Sequence, residues 1–234
     1  MQVLKNGLEG LKDGTEFDLV VIGAGGAGLS AAVFAALDGA KVLVVERTEY
    51  VGGTTAWSAG TTWVPGTHHA AQVNPSDTLA DVTTYLNHAV GSQAPAALRE
   101  AFLKQGPEAV AKIEAQSSMK YRPYPKHPDY ISDLPGSTLN GRALEPLPFD
   151  GRLLGRALFA LLRPPIPEFT VLGGMMVNTA DARYLLAVGR SFASWKHGVK
   201  LVLRYFADRL RGYHRGTRLV LGNSLAGQLL HSVL

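Results

Sequence analysis

An α/β chain built on a parallel βαβ unit is what the sequence predicts, and three observations predict it. Leu19-Val20-Val21-Ile22 is a short apolar run, too brief for a helix and rich in β-branched residues, so it reads as a buried strand. Gly23, Gly25 and Gly28 follow at G-x-G-x-x-G spacing and open a run of small residues. Lys41-Val42-Leu43-Val44-Val45 is a second buried strand, and Glu46 places a carboxylate at its tip.

Each glycine has a distinct use in such a unit. Gly23 permits a turn that a side chain would block, and Gly25 lets the backbone approach a diphosphate. Gly28 lets the following helix lie close to the strand. That helix is expected from Ala27 to about Leu37, with Ala31, Ala32, Ala35 and Ala36 suited to packing on a sheet. Gly39 is placed to end it in the left-handed conformation. A lone glycine triplet is weak evidence. Strand, turn, helix, second strand and acid in this order make it a dinucleotide site. The amides of Gly25, Gly26, Ala27 and Gly28 at the positive helix end would meet the phosphates. Glu46, with Arg47 beside it, would meet the adenosine ribose.

Composition sets outer bounds. The 234 residues suffice for one large domain or one and a half small ones, and 46% hydrophobic with 18% charged residues is globular rather than disordered. Cysteine is absent, so disulfides, a thiolate nucleophile and a cysteine metal site are excluded; this fits a reducing cytoplasm. No uninterrupted apolar run approaches the ~18–20 residues of a membrane span.

Further along, the segments have plainer signatures. Residues 1–16 read as a polar leader. His68-His69 reads as a loop pair and not a metal site, because sequence neighbours should point apart and no carboxylate stands at ligand spacing. Ser76 is the expected cap of a helix carrying Leu79, Val82, Tyr85 and Leu86. A second helix opens near Pro95, is broken by Gly106-Pro107, and resumes to Gln116. Residues 119–151 are too rich in proline and glycine for long helix or strand and read as an ordered loop lining a site. Residues 153–165 suggest a short helix stopped by Pro164-Pro165, and Phe169 to Val177 a strand or an apolar loop.

One long helix is expected over 179–211. Phe192, Trp195, Val199, Val202, Phe206 and Leu210 make its apolar stripe, and Arg190, Lys196, Lys200, Arg204, Arg209 and Arg211 make a basic face. A solvated helix face is the default reading; nucleic acid is disfavoured because no recognition motif accompanies the charge, and peripheral contact with an anionic membrane surface is the minor alternative. A final helix is expected at Leu225–Leu234, with its apolar face uncovered.

The segment after Glu46 distinguishes between cofactors by resemblance. Gly52-Gly53-Thr54-Thr55-Ala56-Trp57-Ser58-Ala59-Gly60 resembles the fumarate reductase and succinate dehydrogenase flavoprotein superfamily. There, Gly53, Thr54 and Thr55 would wrap the diphosphate of FAD, and Ser58, Ala59 and Gly60 would lie against the flavin. Ala59-Gly60 followed by Trp63-Val64-Pro65 is similar to the 3-ketosteroid Δ1-dehydrogenase branch. Asp129-Tyr130, Leu134-Pro135-Gly136, Gly141-Arg142, Glu145-Pro146 and the stretch from Gly216-Thr217-Arg218 to Gly222-Asn223 extend the likeness.

The resemblance implies a Rossmann-like FAD-binding core at 17–72, a helical cap and substrate-side loop at 73–215, and a return to the FAD domain at 216–234. It implies an apolar, steroid-like substrate dehydrogenated at flavin, with Tyr130 near the substrate, at the carbonyl or the departing proton; a structural tyrosine in a proline-rich loop is the alternative. The alternatives are a fumarate reductase-like enzyme acting on a small unsaturated acid, or an inactive flavoprotein fragment. The likeness spans only about the first half of such proteins, so the chain reads as a fragment that stops before the sheet is complete.

Overall fold

The computed structural model describes residues 11–124 and 126–234; residues 1–10 of the expected leader lie outside the described residues. In chain order the first elements are β1 (Leu19–Ile22), α1 (Gly26–Leu37), β2 (Val42–Val45), a 3-10 turn at Gly53–Trp57, β3 (Thr62–Trp63), α2 (Ala70–Val73), α3 (Leu79–Val90) and α4 (Ala96–Gln116). Then come β4 (Tyr121–Pro123), β5 (Ala143–Pro146), β6 (Phe149–Asp150), α5 (Gly155–Leu161), β7 (Thr170–Val171) and β8 (Met175–Met176). The last are α6 (Thr179–Leu186), α7 (Phe192–Leu210), β9 (Arg218–Leu219) and α8 (Leu221–Ser232). These fall into two compact units, one running up to Gly60 and resuming at Pro148–Leu234, the other Thr61–Leu147.

In the first unit, β1 and β2 pair in parallel with Leu19 opposite Val42 and Ile22 opposite Val45. The crossover between them is α1, which buries Leu29, Ala32 and Val33. Gly39 stands just past its end at φ 86°, the left-handed turn the sequence requires. Val21 is buried while Ile22 is 88% exposed, so β1 has one covered face and one open face. The main core gathers Ala56, Phe149, Leu154, Phe159, Leu162, Met176, Leu219, Val220, Ala226 and Leu230.

Two expectations fail here. Residues 179–211 are not one helix: α6 ends at Leu186, and Ser191 starts α7 by accepting the Ser194 amide. Nor is the apolar stripe of α7 its packed face. Ser194, Gly198, Leu201, Tyr205 and Asp208 are buried, whereas Phe192 is 76% and Leu210 89% exposed. Two of the inward polar groups hold partners: the Tyr205 hydroxyl donates to Leu172 O at 2.8 Å, and Asp208 Oδ2 accepts from the Thr217 amide at 2.9 Å. Partnered polar groups bury as readily as apolar ones, and periodicity cannot see partners. The last helix also departs from expectation. It begins at Leu221, and Ala226, Leu229 and Leu230 are buried, because α8 packs on α1 and on the 3-10 turn.

In the second unit, β5 is central to a three-stranded sheet, antiparallel to β3 and β4. The proline-rich stretch therefore begins and ends in short strands, Pro123 lying opposite Leu144 and Pro146 opposite Tyr121. The cap of α3 is Thr78, not Ser76. Its hydroxyl accepts the Asp81 amide and the Asp81 carboxylate accepts the Thr78 amide, a full capping box. Gly106-Pro107 does not break α4, which continues to Gln116. A mid-helix proline costs ~3 kcal/mol, but Leu103, Val110 and Ile113 are all buried on one face. Each buried aliphatic side chain contributes ~1.5–3 kcal/mol, enough to hold the helix through the proline. Among the described residues, no helix is long and apolar enough to cross a membrane.

Candidate functional site

The glycine loop, the tip of β2 and the segment 53–60 come together in the first unit. A Cβ on Gly28 would lie 1.9 Å from Gly23 O, so only glycine allows α1 this close to the strand. Gly25 precedes α1 with no side-chain cap, and no acidic residue stands in the first turn. The Leu29 amide is bonded to Gly25 O at 2.9 Å; the amides of Ala27 and Gly28 ahead of it form the open positive end of the helix. The Gly26 amide donates to Thr55 Oγ1 at 3.0 Å, which joins the two glycine segments.

Glu46 is held rather than free. Its Oε2 accepts the Ala24 amide at 2.9 Å, and its Oε1 accepts the Thr48 amide at 2.9 Å and the Thr48 hydroxyl at 3.0 Å. Burial acts to raise its pKa, but these hydrogen bonds and the nearby Arg163 outweigh burial and hold it below the usual value. The carboxylate thus stays charged. Oε2, with a single donor, retains acceptor capacity for a hydroxyl.

Arg163 is the residue that sequence reasoning missed. Its Nη2 donates to Thr48 Oγ1 at 2.8 Å, and its guanidinium lies over Trp57 at 4.9 Å and Tyr50 at 5.6 Å. It reaches the site through a bridge between Val51 and Leu162, where the Arg163 amide donates to Val51 O at 2.8 Å. No local motif announces that pairing.

The rest of the 53–60 segment locks onto the start of α8. Ser58 O accepts the Gly222 amide at 3.0 Å, and Ala56 O accepts from Asn223 Nδ2 at 2.8 Å. The Ser58 hydroxyl donates to Thr55 O and accepts the Gly60 amide. Thr54 is exposed, and Arg47 is exposed beside Glu46; Gly53 and Ala59 are half-buried and Gly60 is buried. Gly23, Gly25, Gly26, Ala27, Gly28, Glu46 and the 53–60 segment therefore share one unit. The donor set, an uncapped helix end flanked by glycines with a carboxylate nearby, fits a dinucleotide diphosphate and ribose.

Tyr130 lies in the second unit, 74% exposed, with His127 edge-on at 6.1 Å. Its neighbour Asp129 is buried and accepts from Trp63 Nε1 and Arg142 Nη1, both at 2.7 Å. Arg142, 1% exposed, also forks onto both oxygens of Asp77. In the same unit, His68 and His69 do not point apart. Their ring centroids are 4.0 Å apart, and both Nε2 atoms face Glu114 Oε2. His69 has helical backbone angles at the start of α2, so the two side chains do not alternate as they would along a strand.

The model of the FAD binding domain family matches residues 18–231. The chain is 36% identical over 215 residues to a 4-oxocyclohex-2-ene-1-carboxylate 5-dehydrogenase from Sinomonas cyclohexanicum, covering 92% of this chain and 36% of that protein. It is 37% identical over 152 residues to a 3-oxosteroid 1-dehydrogenase from Mycolicibacterium smegmatis, covering 65% of this chain and 26% of the other. Among solved structures, the 3-ketosteroid Δ1-dehydrogenase of Sterolibacterium denitrificans, bound to 1,4-androstadiene-3,17-dione, superposes with a TM-score of 0.80 at 30% identity. That match covers 92% of this chain and 38% of that one. The chain thus spans about a third of the length of these relatives. With the glycine loop, the β2 carboxylate and a family match over nearly its whole length, the chain belongs to the FAD binding domain family, whose cofactor is FAD.

Proposed function

We propose that this chain is the FAD-holding portion of a dehydrogenase acting on a cyclic ketone of the 3-ketosteroid type. The observation that carries the reading is the joined cradle: the Gly26 amide on Thr55 Oγ1, with Glu46 pinned by Ala24 and Thr48. The names of the relatives supply the substrate class, since they share a six-membered ring ketone. Bound FAD supplies the acceptor for a hydride taken from the ring carbon next to the one that loses a proton. The chain's own part is to hold that group. The amides of Gly25, Ala27 and Gly28 would meet the diphosphate, with the Gly26 amide engaged by Thr55, and Glu46 would accept from the ribose hydroxyls. Gly53, Thr54 and Thr55 close over the phosphates, and Ser58, Ala59 and Gly60 border the flavin.

Tyr130 is proposed to donate a hydrogen bond toward the ketone oxygen, where charge develops as the proton leaves. Its backbone is steadied by the buried Asp129–Arg142 pair. The test uses protein that carries the remaining length of the relatives. Its visible spectrum should be that of a flavin, and Glu46→Ala should weaken FAD binding by about 1.5–3 kcal/mol, the worth of hydrogen bonds to a charged group. Tyr130→Phe should lower turnover of a 3-ketosteroid with the spectrum unchanged. A colourless protein, or Glu46→Ala without effect on FAD affinity, would sink the cofactor geometry; unchanged turnover would make Tyr130 structural.

A second part of the reading rests on α7. Phe192, Trp195, Leu203, Phe206 and Leu210 are exposed, with Lys196 and Lys200 also exposed on the same helix. That combination supports peripheral contact with an anionic lipid surface. Co-sedimentation with anionic vesicles tests it, and protein that stays in the supernatant at low salt would end it.

A further inference from the structure

Outside the dinucleotide site, the second unit gathers three metal-ligating side chains from two distant segments. His68 and His69 lie at the start of α2, and Glu114 in the last turn of α4. Their ligand atoms all lie within 4.8 Å of one another. His69 Nε2 is 2.8 Å and His68 Nε2 3.3 Å from the same oxygen, Glu114 Oε2. The other oxygen, Oε1, accepts the Tyr121 amide at 2.8 Å, which fixes the carboxylate plane and turns Oε2 toward the two rings.

We propose that His68, His69 and Glu114 form a zinc site, with the remaining coordination position open to water. Two imidazole nitrogens and one carboxylate oxygen are a borderline donor set that suits Zn²⁺ over Mg²⁺ or Ca²⁺. Zinc bonds of ~2.0–2.1 Å in a tetrahedral arrangement set donor atoms about 3.3 Å apart. The His68–Glu114 separation already has that value, and the His69–Glu114 separation needs to open by about half an ångström as the cation replaces the shared proton. His68 is half-exposed, which gives a route of entry, while His69 and Glu114 are largely buried.

The surrounding field favours a cation. Glu114 stands at the C-terminal end of a 21-residue helix, where carbonyls point outward and the dipole is negative. Lys120 Nζ donates to the backbone carbonyls of Glu114 and Ser117. Metal would tie the start of α2 to the end of α4, two segments 45 residues apart.

The experiment uses the tag-free 234-residue chain, stripped with chelator and titrated with Co²⁺ as a coloured stand-in, then with Zn²⁺ in competition. One equivalent of Co²⁺ should develop visible absorption that Zn²⁺ abolishes, and Zn²⁺ should raise the melting temperature. His68→Ala, at a half-exposed position, should lower Zn²⁺ affinity more than about tenfold with the far-ultraviolet spectrum unchanged. Glu114→Gln should do the same, and His88→Ala should change nothing. Absence of a one-equivalent site, or equal affinity in His68→Ala and the parent chain, would overturn the proposal and leave the trio as an ion-paired cluster.

Discussion

In the unit carrying the glycine loop, elements are drawn together by backbone; in Thr61–Leu147 they are drawn together around one guanidinium. The first unit places α1, the 53–60 segment and α8 so close that carbonyls and amides touch across elements, with glycine at the contacts. The second places a buried Arg142 between Asp77 and Asp129, with Trp63 and Thr138 bonded to the same Asp129. Close backbone approach positions a site for a ligand's phosphates. A buried ion network instead fixes which loops meet, because every member must find its partner.

The sharpest way to break that contrast is Arg142→Met. Two carboxylates would remain buried without their partner, and the expected loss is about 3–5 kcal/mol of stability in denaturant unfolding. Burial alone would lower the Arg142 pKa, but Asp77 and Asp129 raise it above the ordinary value, so the charge persists at any working pH. A loss under about 1 kcal/mol would mean that the network contributes as little as a surface pair.

Gly222→Ala probes the other unit. The new methyl would lie 1.8 Å from Thr55 O and 2.7 Å from Ser58 O, both backbone atoms with little room to yield. Overpacking of this kind costs about 1–3 kcal/mol. It should also displace Thr55 from the Gly26 amide, so FAD retention should fall together with the melting temperature. Retention unchanged despite a lower melting temperature would separate α8 from the cofactor cradle.

The smallest expected effect is a pH dependence confined to the first unit. Burial, then the charges of Arg215 and Arg209, lower the pKa of His214 below its ordinary 6.5. A base with a depressed folded pKa is protonated first in the unfolded chain. Stability therefore falls as pH drops from 6.5 through the folded value, and levels off below it. Melting temperatures between about pH 5 and pH 7 should show that slope, and His214→Asn should flatten it. A slope unchanged in His214→Asn would assign the dependence to another group.

The glycine loop and its helix were legible because their causes are local. Strand, turn, helix, strand and acid lie within the 29 residues from Asp18 to Glu46 and need no distant partner to be recognised. The cap at Thr78 was within reach too, since Asp81 stands three residues on; the nearer Asn-Pro-Ser signal hid it. Arg163, by contrast, enters the site only because Val51 pairs with Leu162. His69 meets Glu114 only because the end of α4 is folded against the start of α2. Neither pairing leaves a periodic trace in the chain.

By itself the sequence determined the α/β class, the βαβ unit, the position of its glycine loop and, through the 52–65 segment, the flavoprotein family. Those follow from backbone geometry that particular residues permit or forbid within a few turns of one another. The tertiary structure alone decided that α7 turns Ser194, Gly198, Leu201, Tyr205 and Asp208 inward and leaves Phe192 and Leu210 outside. It alone decided that α4 runs through Pro107, that α8 is covered, and that His68, His69 and Glu114 converge. The physical reason is common to all four. Burial energy and hydrogen-bond satisfaction depend on partners brought from far along the chain, and they outweigh local propensities worth a kilocalorie or so per residue.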